Sequence, residues 1–268
     1  MTGKLEDNVT LHRLGNGLTL HISAGVDADA VPEWISAHGV PSARTRGATV
    51  LKTARQRLVI RVPFSQGSRI VKLFPLQNPI SMLKHCKYAW QEFANYRKAL
   101  ARGIPVPVCY AFLRQRKFGF VTLSGIVIED LGHAPDALKM AANGGYGTAA
   151  QACIPALCAL YAAGANHVDA RDENLIFTPN GFRVIDWQYA NFVTPRATWL
   201  LEHLAAYFIR MAPEKERAAL QSGWLAELHG AAKHPDGLEL FHCRVAALLA
   251  ARPSTVARLA LKPYSVDS

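Results

Sequence analysis

The chain has 268 residues, of which 50% are hydrophobic and 19% charged, a composition that is typical of a folded globular protein and excludes wholesale disorder. No apolar run reaches the ~20 residues that a membrane-spanning helix needs, and the N-terminus shows no secretory signal. Five scattered cysteines without CxxC or paired Cys/His spacing support neither a disulfide framework nor a zinc site. We therefore expect a reducing, cytoplasmic location.

The net charge of +10 is concentrated in one segment. Between Ile35 and Ile128 the sequence holds sixteen Lys or Arg residues and a single acid, Glu92. This basic block is either a solvated face or a surface that attracts a polyanion, such as nucleotide phosphates, an anionic membrane or a phosphorylated substrate. Nucleic acid is not favoured as a partner, because no basic motif interleaved with aromatic residues is present.

The first half of the chain has the pattern of strands. Alternating apolar and polar residues at 9–14 and 18–22 around Gly15-Asn16-Gly17 predict a hairpin, and the following region, with Pro32 and Pro41, has no predicted element. Runs rich in β-branched residues predict strands at 48–53, 57–62, 69–74, 108–113 and 119–128. A helix is predicted over 80–102 and ends at Gly103, with an apolar face of Leu83, Cys86, Trp90, Phe93 and Leu100.

The second half has the pattern of helices, with the change near Gly132. Helices are predicted at 147–164, 199–211, 214–230 and 238–251, with a hairpin at 174–177 and 182–185. Strands followed by helices predict an α+β fold of two lobes instead of alternating βαβ units. The predicted domains are an N-terminal hairpin and extension (1–44), a strand-rich N-lobe (45–131) and a helical C-lobe (132–268).

A polar loop and the hairpin after it contain the side chains that phosphoryl transfer requires. The loop is His167-Val168-Asp169-Ala170-Arg171-Asp172-Glu173-Asn174, and the hairpin ends in Asp186. One carboxylate must orient or deprotonate the attacking hydroxyl, and an amide oxygen and a second carboxylate must hold Mg²⁺. Asp169 fits the first role, and Asn174 with Asp186 fits the second. The alternative is a polar surface loop without chemistry.

Lys72 and Glu92 form an upstream pair that supports the catalytic interpretation. Lys72 lies in a predicted strand and would bridge the α- and β-phosphates of a nucleotide if a carboxylate fixed its ammonium group. Glu92 lies on the following helix; the alternative interpretation is a surface ion pair of little consequence. Arg61 is a second candidate for the lysine role, but its guanidinium fits less well than a compact point charge.

The order of these residues resembles that of the protein-kinase superfamily over roughly residues 45 to 210. The order is Lys72, Glu92, the motif His167-x-Asp169-x-x-x-x-Asn174, and Asp186. The helix running from Glu92 into Gly103-Ile-Pro-Val-Pro is similar to that of bacterial lipopolysaccharide-core sugar kinases, which phosphorylate heptose or Kdo. The resemblance implies a bilobal protein-kinase-like fold and the use of ATP and Mg²⁺.

The resemblance also implies individual roles. Lys72 and Glu92 would be the nucleotide-binding pair, Asp169 the catalytic aspartate, and Asn174 and Asp186 the metal ligands. Arg171 lies where kinases often have a lysine that touches the transferred phosphate. Glu129 would offer backbone groups to the adenine. No G-x-G-x-x-G is present; the corresponding turn is Thr53-Ala54-Arg55-Gln56-Arg57, where Arg55 is expected to contact phosphate.

Three functions follow from these patterns. The first is a kinase of a lipopolysaccharide-core sugar or a related anionic glycolipid, in peripheral contact with the cytoplasmic face of the inner membrane. The second is a soluble small-molecule kinase similar to choline, thiamine or aminoglycoside kinases, as Ile185-Asp186-Trp187-Gln188 indicates. The third is a pseudokinase that binds an anionic partner. A protein substrate is not expected, because Asp186 is not followed by Phe-Gly and no A-P-E occurs.

Overall fold

The computed structural model describes residues 9–23, 30–54, 57–76, 78–79, 82 and 85–251. The chain divides into two compact units, Met1–Lys98 with Pro107–Gly132 and Ala99–Val106 with His133–Ser268. The first unit contains a large sheet, and the second contains most of the helices. The predicted α+β class, with strands preceding helices, is confirmed.

Within the described residues, the sheet of the first unit has seven strands. They are β1 Val9–Arg13, β2 Leu18–Ser23, β3 Thr49–Ala54, β4 Arg57–Phe64, β5 Gly67–Pro75, β6 Cys109–Lys117 and β7 Phe120–Glu129. Their order is β1-β2-β6-β7-β5-β4-β3, and every neighbouring pair is antiparallel. The predicted hairpin and strands are confirmed. The pairing of β2 with β6 joins the hairpin to the sheet, a contact over about ninety residues that no local pattern indicates.

A short helix covers part of the core of this sheet. Helix α1, Ala30–His38, buries Val31 and Ile35, and the Trp34 ring stacks on Phe64 with centroids 4.6 Å apart. No element was predicted here because of Pro32. This proline lies in the first turn of the helix, where its missing N–H would have no intrahelical partner, so it does not break the helix.

The helix before Gly103 is α2, Tyr88–Ala101, and its predicted apolar face was wrong in two positions, while the predicted Leu83 lies outside the described residues. The buried apolar residues of this helix are Ala89, Phe93, Tyr96 and Ala99, and the polar Glu92 and Asn95 are buried with them. Trp90 is 38% exposed and Leu100 is 63% exposed. The sequence pattern selected the largest apolar side chains, whereas small alanines and a paired glutamate line the packed side of the helix.

The second unit contains six helices within the described residues. They are α3 Ala137–Gly144, α4 Tyr146–Ala163, α5 Thr198–Met211, α6 Glu214–Ala219, α7 Leu225–Ala232 and α8 Leu238–Ala250. Helix α3 was not predicted. The predicted helix 214–230 is divided by a π-helical turn, Leu220–Trp224, whose buried Trp224 indole donates a hydrogen bond to the Ala150 carbonyl at 2.9 Å.

Two small antiparallel ladders complete this unit. Strand β8 (Ala165–Asn166) pairs with β11 (Asn191–Phe192), and β9 (Leu175–Thr178) pairs with β10 (Gly181–Val184), which confirms the predicted hairpin. Helix α5 is buried from Leu200 to Ile209, the pattern of a helix enclosed by its neighbours. Within the part of the chain that the structure describes, every helix is too short or too polar to cross a membrane.

Candidate active site

The polar loop between β8 and β9 contains the predicted catalytic residues. Backbone hydrogen bonds fold it tightly: the Ala170 amide donates to the His167 carbonyl at 2.9 Å, and the Arg171 amide donates to the Asp169 carbonyl at 2.8 Å. A 3₁₀ turn over Asp172–Asn174 then leads into β9. These bonds fix the backbone from which the functional side chains project.

The side chains of Asp169, Arg171 and Asn174 meet in this loop. The Asn174 amide nitrogen donates to the Asp169 carbonyl at 2.8 Å and to its carboxylate Oδ2 at 3.0 Å. Both amide hydrogens are thus directed at Asp169, which leaves the amide oxygen as the accepting end of the side chain. Arg171 Nε lies 3.6 Å from Asp169 Oδ1, and its Nη2 contacts the Glu173 carboxylate.

Asp186 follows β10 and has a left-handed backbone conformation. Its φ is 63° and its ψ is 60°, a conformation that costs a non-glycine residue of order 1–3 kcal/mol. The preceding Ile185 amide donates to the Asn174 carbonyl at 3.0 Å, so the hairpin returns the chain to the polar loop. The Asp186 charge is one of the causes that raise the pKa of Asp169, which is consistent with two neighbouring carboxylates.

His167 connects the loop to the segment before Asp186. Its ring is buried, and Nε2 lies 3.0 Å from the Ile185 carbonyl. A carbonyl oxygen only accepts, so Nε2 carries the hydrogen. Burial lowers the pKa of His167, which favours the neutral ring, and the ring meets Trp187 edge-on at 4.8 Å. The hydrogen bond from His167 therefore holds the Ile185 backbone in position beside the loop.

The environment of Asp169 makes its carboxylate more basic than a surface aspartate. Burial is the largest cause that raises its pKa; Arg171, His167 and the Asn174 hydrogen bond oppose it. A raised pKa suits a carboxylate that accepts a proton from a hydroxyl, because proton transfer is most efficient when the base is not too weak.

The sequence patterns indicated no role for Asp172 and Tyr146, whose buried hydrogen bond holds the loop in place. Asp172 is buried, its Oδ2 accepts a hydrogen bond from the Tyr146 hydroxyl at 3.0 Å, and its Oδ1 accepts one from the Glu173 amide at 2.9 Å. The second carboxylate in the loop was a visible signal for Asp172. No signal was available for Tyr146, which begins α4 some twenty-six residues earlier.

The turn after α2 supports the strand that precedes Asp186. Gly103 has a φ of 74°, as the end of a helix often requires, and the Pro105 carbonyl accepts a hydrogen bond from the Val184 amide at 2.9 Å. The Arg102 guanidinium donates to three carbonyls of the same unit, those of Ala163, Gly164 and Val193. This segment is thus built into the second unit, beside the hairpin.

Lys72 and Glu92 form a buried ion pair in the first unit. Lys72 Nζ lies 2.7 Å from Glu92 Oε1, and the side chains are 7% and 1% exposed. Strand β7 lies close to the lysine backbone at Gly125, where an added Cβ would come within 2.7 Å of the Lys72 carbonyl. The structure therefore excludes the interpretation of this pair as a solvated surface contact.

The other residues predicted to contact the nucleotide are Arg55 and Glu129, with Arg61 as the alternative to Lys72. Arg55 lies outside the described residues. Glu129 is engaged within the fold: its carboxylate accepts from the Val108 amide at 3.0 Å, and its own amide donates to the Val108 carbonyl at 2.8 Å. A backbone role in adenine binding stays a prediction. Arg61 is bound to Asp130 at 2.7 Å, which does not favour it as a substitute for the lysine.

A second charged cluster lies in the second unit around Glu202. The ligand atoms of Glu202, His234 and Asp236 lie within 4.8 Å of one another. The Arg244 guanidinium contacts both carboxylates, at 3.3 Å from Glu202 Oε1, and His234 Nε2 is 2.9 Å from the Thr198 carbonyl. An arginine already supplies the positive charge, so the cluster is a buried ion-pair network instead of a metal site.

No protein-family model matches the sequence, and no curated protein matches it. Among solved structures, the chain is similar to WaaP in complex with acyl carrier protein, with 18% identity, a TM-score of 0.51, and coverage of 80% of this chain and 87% of that one. It also matches vaccinia related kinase 3, with 10% identity, a TM-score of 0.40, and coverage of 94% and 87%. The WaaP comparison confirms that this chain has the protein-kinase-like fold.

Proposed function

We propose that this protein is an ATP- and Mg²⁺-dependent kinase that phosphorylates a sugar hydroxyl of lipopolysaccharide core or a related anionic glycolipid. The observation that carries the proposal is the bonding of Asp169, Asn174 and the Asp186 segment into one site. The Asn174 amide holds Asp169, and the Asn174 carbonyl accepts from Ile185, the residue before Asp186. A surface loop without a catalytic role would not require a half-buried carboxylate, that of Asp169, near a second carboxylate, that of Asp186.

Each residue has a distinct part in the proposed reaction. Asp169 accepts the proton of the acceptor hydroxyl as that oxygen bonds to the γ-phosphorus and the bond to the ADP oxygen breaks. Arg171, beside Asp169, supplies positive charge where the transferred phosphoryl oxygens carry negative charge. His167 and Asp172 touch no reacting atom and act by positioning the loop.

The donor set fits a magnesium ion. Mg²⁺ prefers oxygen ligands, and Asn174 offers an amide oxygen while Asp186 offers a carboxylate. The direction of the Asn174 amide supports this assignment, because its nitrogen is committed to Asp169. When bound, the ion neutralises charge on the nucleotide phosphates. Lys72, fixed by Glu92, is the residue of the first unit that we assign to the nucleotide phosphates.

The acceptor class rests on charge and on the resemblance of the sequence. The basic block between residues 35 and 128 favours an anionic acceptor, and the similarity from Glu92 to Pro107 favours the lipopolysaccharide-core sugar kinases. Asp186 is followed by Trp187, which is buried and donates to the Val184 carbonyl at 2.9 Å. Because Asp186 is followed by Trp187-Gln188 instead of Phe-Gly and no A-P-E occurs, we infer a non-protein substrate.

One experiment tests both the chemistry and the acceptor. The protein is incubated with labelled ATP and Mg²⁺, together with either extracted core glycolipid or a panel of choline, thiamine and aminoglycosides. We expect label in the glycolipid, and a fall of about 10²- to 10⁴-fold in single-turnover rate for Asp169→Asn with little change in ATP affinity. Label in a small metabolite would contradict the acceptor, and no transfer to any acceptor would indicate a pseudokinase.

A further inference from the structure

The turn between β6 and β7 carries two exposed phenylalanines. Lys117 pairs with Phe120, so Phe118 and Gly119 are the two loop residues, with φ values of 50° and 82°. The Phe118 side chain is 100% exposed and Phe120 is 61% exposed. The tip of this hairpin therefore presents one fully exposed and one largely exposed aromatic ring.

Folding does not explain the phenylalanine at position 118. A two-residue hairpin loop with positive φ at both positions strongly favours Asn-Gly or Asp-Gly. An aromatic residue is disfavoured in the left-handed region, and full exposure gives it no compensating burial. Phe118 thus breaks both the turn preference and the burial preference, which is expected of a residue retained for contact with something else.

Basic side chains surround this tip. Arg116 and Lys117, immediately before the turn, are exposed, and Arg114 is half-buried. Arg13 lies in the same cross-strand row as Arg114, because Thr19 pairs with both. In the four strands at this side of the sheet, the one acid is Glu129, at the opposite end of β7 and about 30 Å along the strand.

The cations at this tip also act on one another. Burial lowers the pKa of Arg114, and the neighbouring Arg116 charge lowers it further. The Arg114 charge in turn contributes to lowering the pKa of His21, after burial. Such mutual repulsion is relieved by an anionic partner.

We infer that the β6–β7 turn docks on an anionic lipid bilayer, with Phe118 and Phe120 inserted among the headgroups and Arg13, Arg114, Arg116 and Lys117 bound to lipid phosphates. Exposed aromatic rings beside basic residues match the interfacial region of a membrane, where a ring meets apolar chains and cations meet phosphates. The choice of a bilayer as partner rests on the proposed function, because a glycolipid acceptor lies in such a surface. The contact itself is made by residues outside the catalytic loop.

Vesicle binding by Phe118→Asn tests the inference. The probes are sedimentable vesicles of phosphatidylethanolamine with 30% phosphatidylglycerol, and vesicles in which phosphatidylcholine replaces the anionic lipid. Wild type is expected to bind the anionic vesicles. Phe118→Asn is expected to bind them about 10- to 100-fold more weakly, because this factor corresponds to the burial of one phenylalanine side chain. Leu240→Gln is the matched control, because Leu240 is an exposed leucine of α8 in the second unit.

Two further readouts separate insertion from an unfolded variant. Phe118→Asn creates an Asn-Gly turn, so it is expected to melt at or above the wild-type temperature while it loses vesicle binding. Phe118→Trp is expected to retain binding and to show fluorescence quenched by brominated lipids beyond the quenching of wild type. Binding is expected to fall with salt and in an Arg116→Gln/Lys117→Gln variant.

The inference is overturned by any of three results. The first is that Phe118→Asn binds anionic vesicles as tightly as wild type does. The second is that wild type binds neutral and anionic vesicles equally well. Retained vesicle binding with lost self-association, or with lost binding to an acidic soluble protein, would assign the turn to a protein partner instead. Vesicle binding requires no turnover, so it is measured even if the kinase assay fails, and phosphate transfer to a detergent-dispersed acceptor tests the kinase without the vesicles.

Discussion

Removal of Glu92 is the sharpest test of the buried pair with Lys72. The charged atoms are 2.7 Å apart, with 7% and 1% of the side chains exposed. At an effective dielectric constant of about 20 their gross attraction is about 6 kcal/mol, most of which offsets the loss of hydration. Glu92→Ala leaves the ammonium group buried without its carboxylate, so we expect a loss of about 3–5 kcal/mol in unfolding free energy.

The assay combines unfolding with nucleotide binding. A loss of this size should lower the melting temperature, followed by circular dichroism, by about 6–20 °C. The double variant Lys72→Met/Glu92→Leu removes both charges and fills the space, so its stability should return close to that of wild type. Its ATP affinity, measured by calorimetry, should remain weak, because the phosphates have lost their cation.

Two outcomes would refute this reasoning, and they refute different parts of it. If Glu92→Ala melted within about one degree of wild type, the pair would not be a buried, mutually dependent one. If the double variant folded, bound ATP and transferred phosphate as wild type does, the pair would be structural only. The stability and binding measurements therefore separate the packing of the pair from its role in nucleotide binding.

Three further predictions concern the second unit. Asp186→Asn should lower Mg²⁺-dependent turnover at least about 100-fold with little change in melting temperature, because asparagine tolerates the left-handed backbone; near-normal turnover would exclude Asp186 as a ligand. Tyr146→Phe should cost about 1–3 kcal/mol of stability, because the buried Asp172 loses the hydrogen bond from the Tyr146 hydroxyl. The same change should lower the turnover number by a larger factor than it raises KM, and no other contact in the loop is expected to compensate for it. Burial raises the pKa of Glu202, so its contribution to stability is present at low pH and is lost as the pH rises through that raised pKa. Arg244→Met removes a contact that opposes the shift, so its destabilisation should be larger at pH 7 than at pH 4, and an equal loss at both values would contradict it.

Local patterns were sufficient for most elements. Nine strands, β1 to β7 with β9 and β10, and the helices that became α4, α5 and α8 were predicted within a few residues, because alternation and helical spacing reflect one buried face in most elements. The errors lie where tertiary packing decides. Helix α1 forms despite Pro32, and Trp90 is exposed while Ala89 is buried, since the neighbours of a helix and not the size of its side chains determine which face is covered.

The candidate site was predicted as a set of side chains but not as an arrangement. The spacing of Asp169, Asn174 and Asp186 was visible in the sequence, and so was the pair of Lys72 with Glu92. The contacts that orient them were not, because they join residues far apart or use backbone atoms. The bond from Tyr146 to Asp172 and that from His167 to the Ile185 carbonyl are of this kind.

Positive φ values at non-glycine residues mark positions where the backbone conformation needs a local explanation. Five non-glycine residues in the described part of the chain have positive φ. Asn16 lies in a hairpin turn that favours asparagine, Lys233 ends α7, and Arg196 is held by a hydrogen bond from its amide to a helix carbonyl. Asp186 directly precedes the 3₁₀ turn Trp187–Tyr189, and aspartate is among the residues that tolerate this region, whereas Phe118 has no such local reason. Phe118 is a fully exposed aromatic ring, which agrees with the lipid contact that we propose for it, and Asp186 is a carboxylate near Asp169, which agrees with its proposed role as a metal ligand.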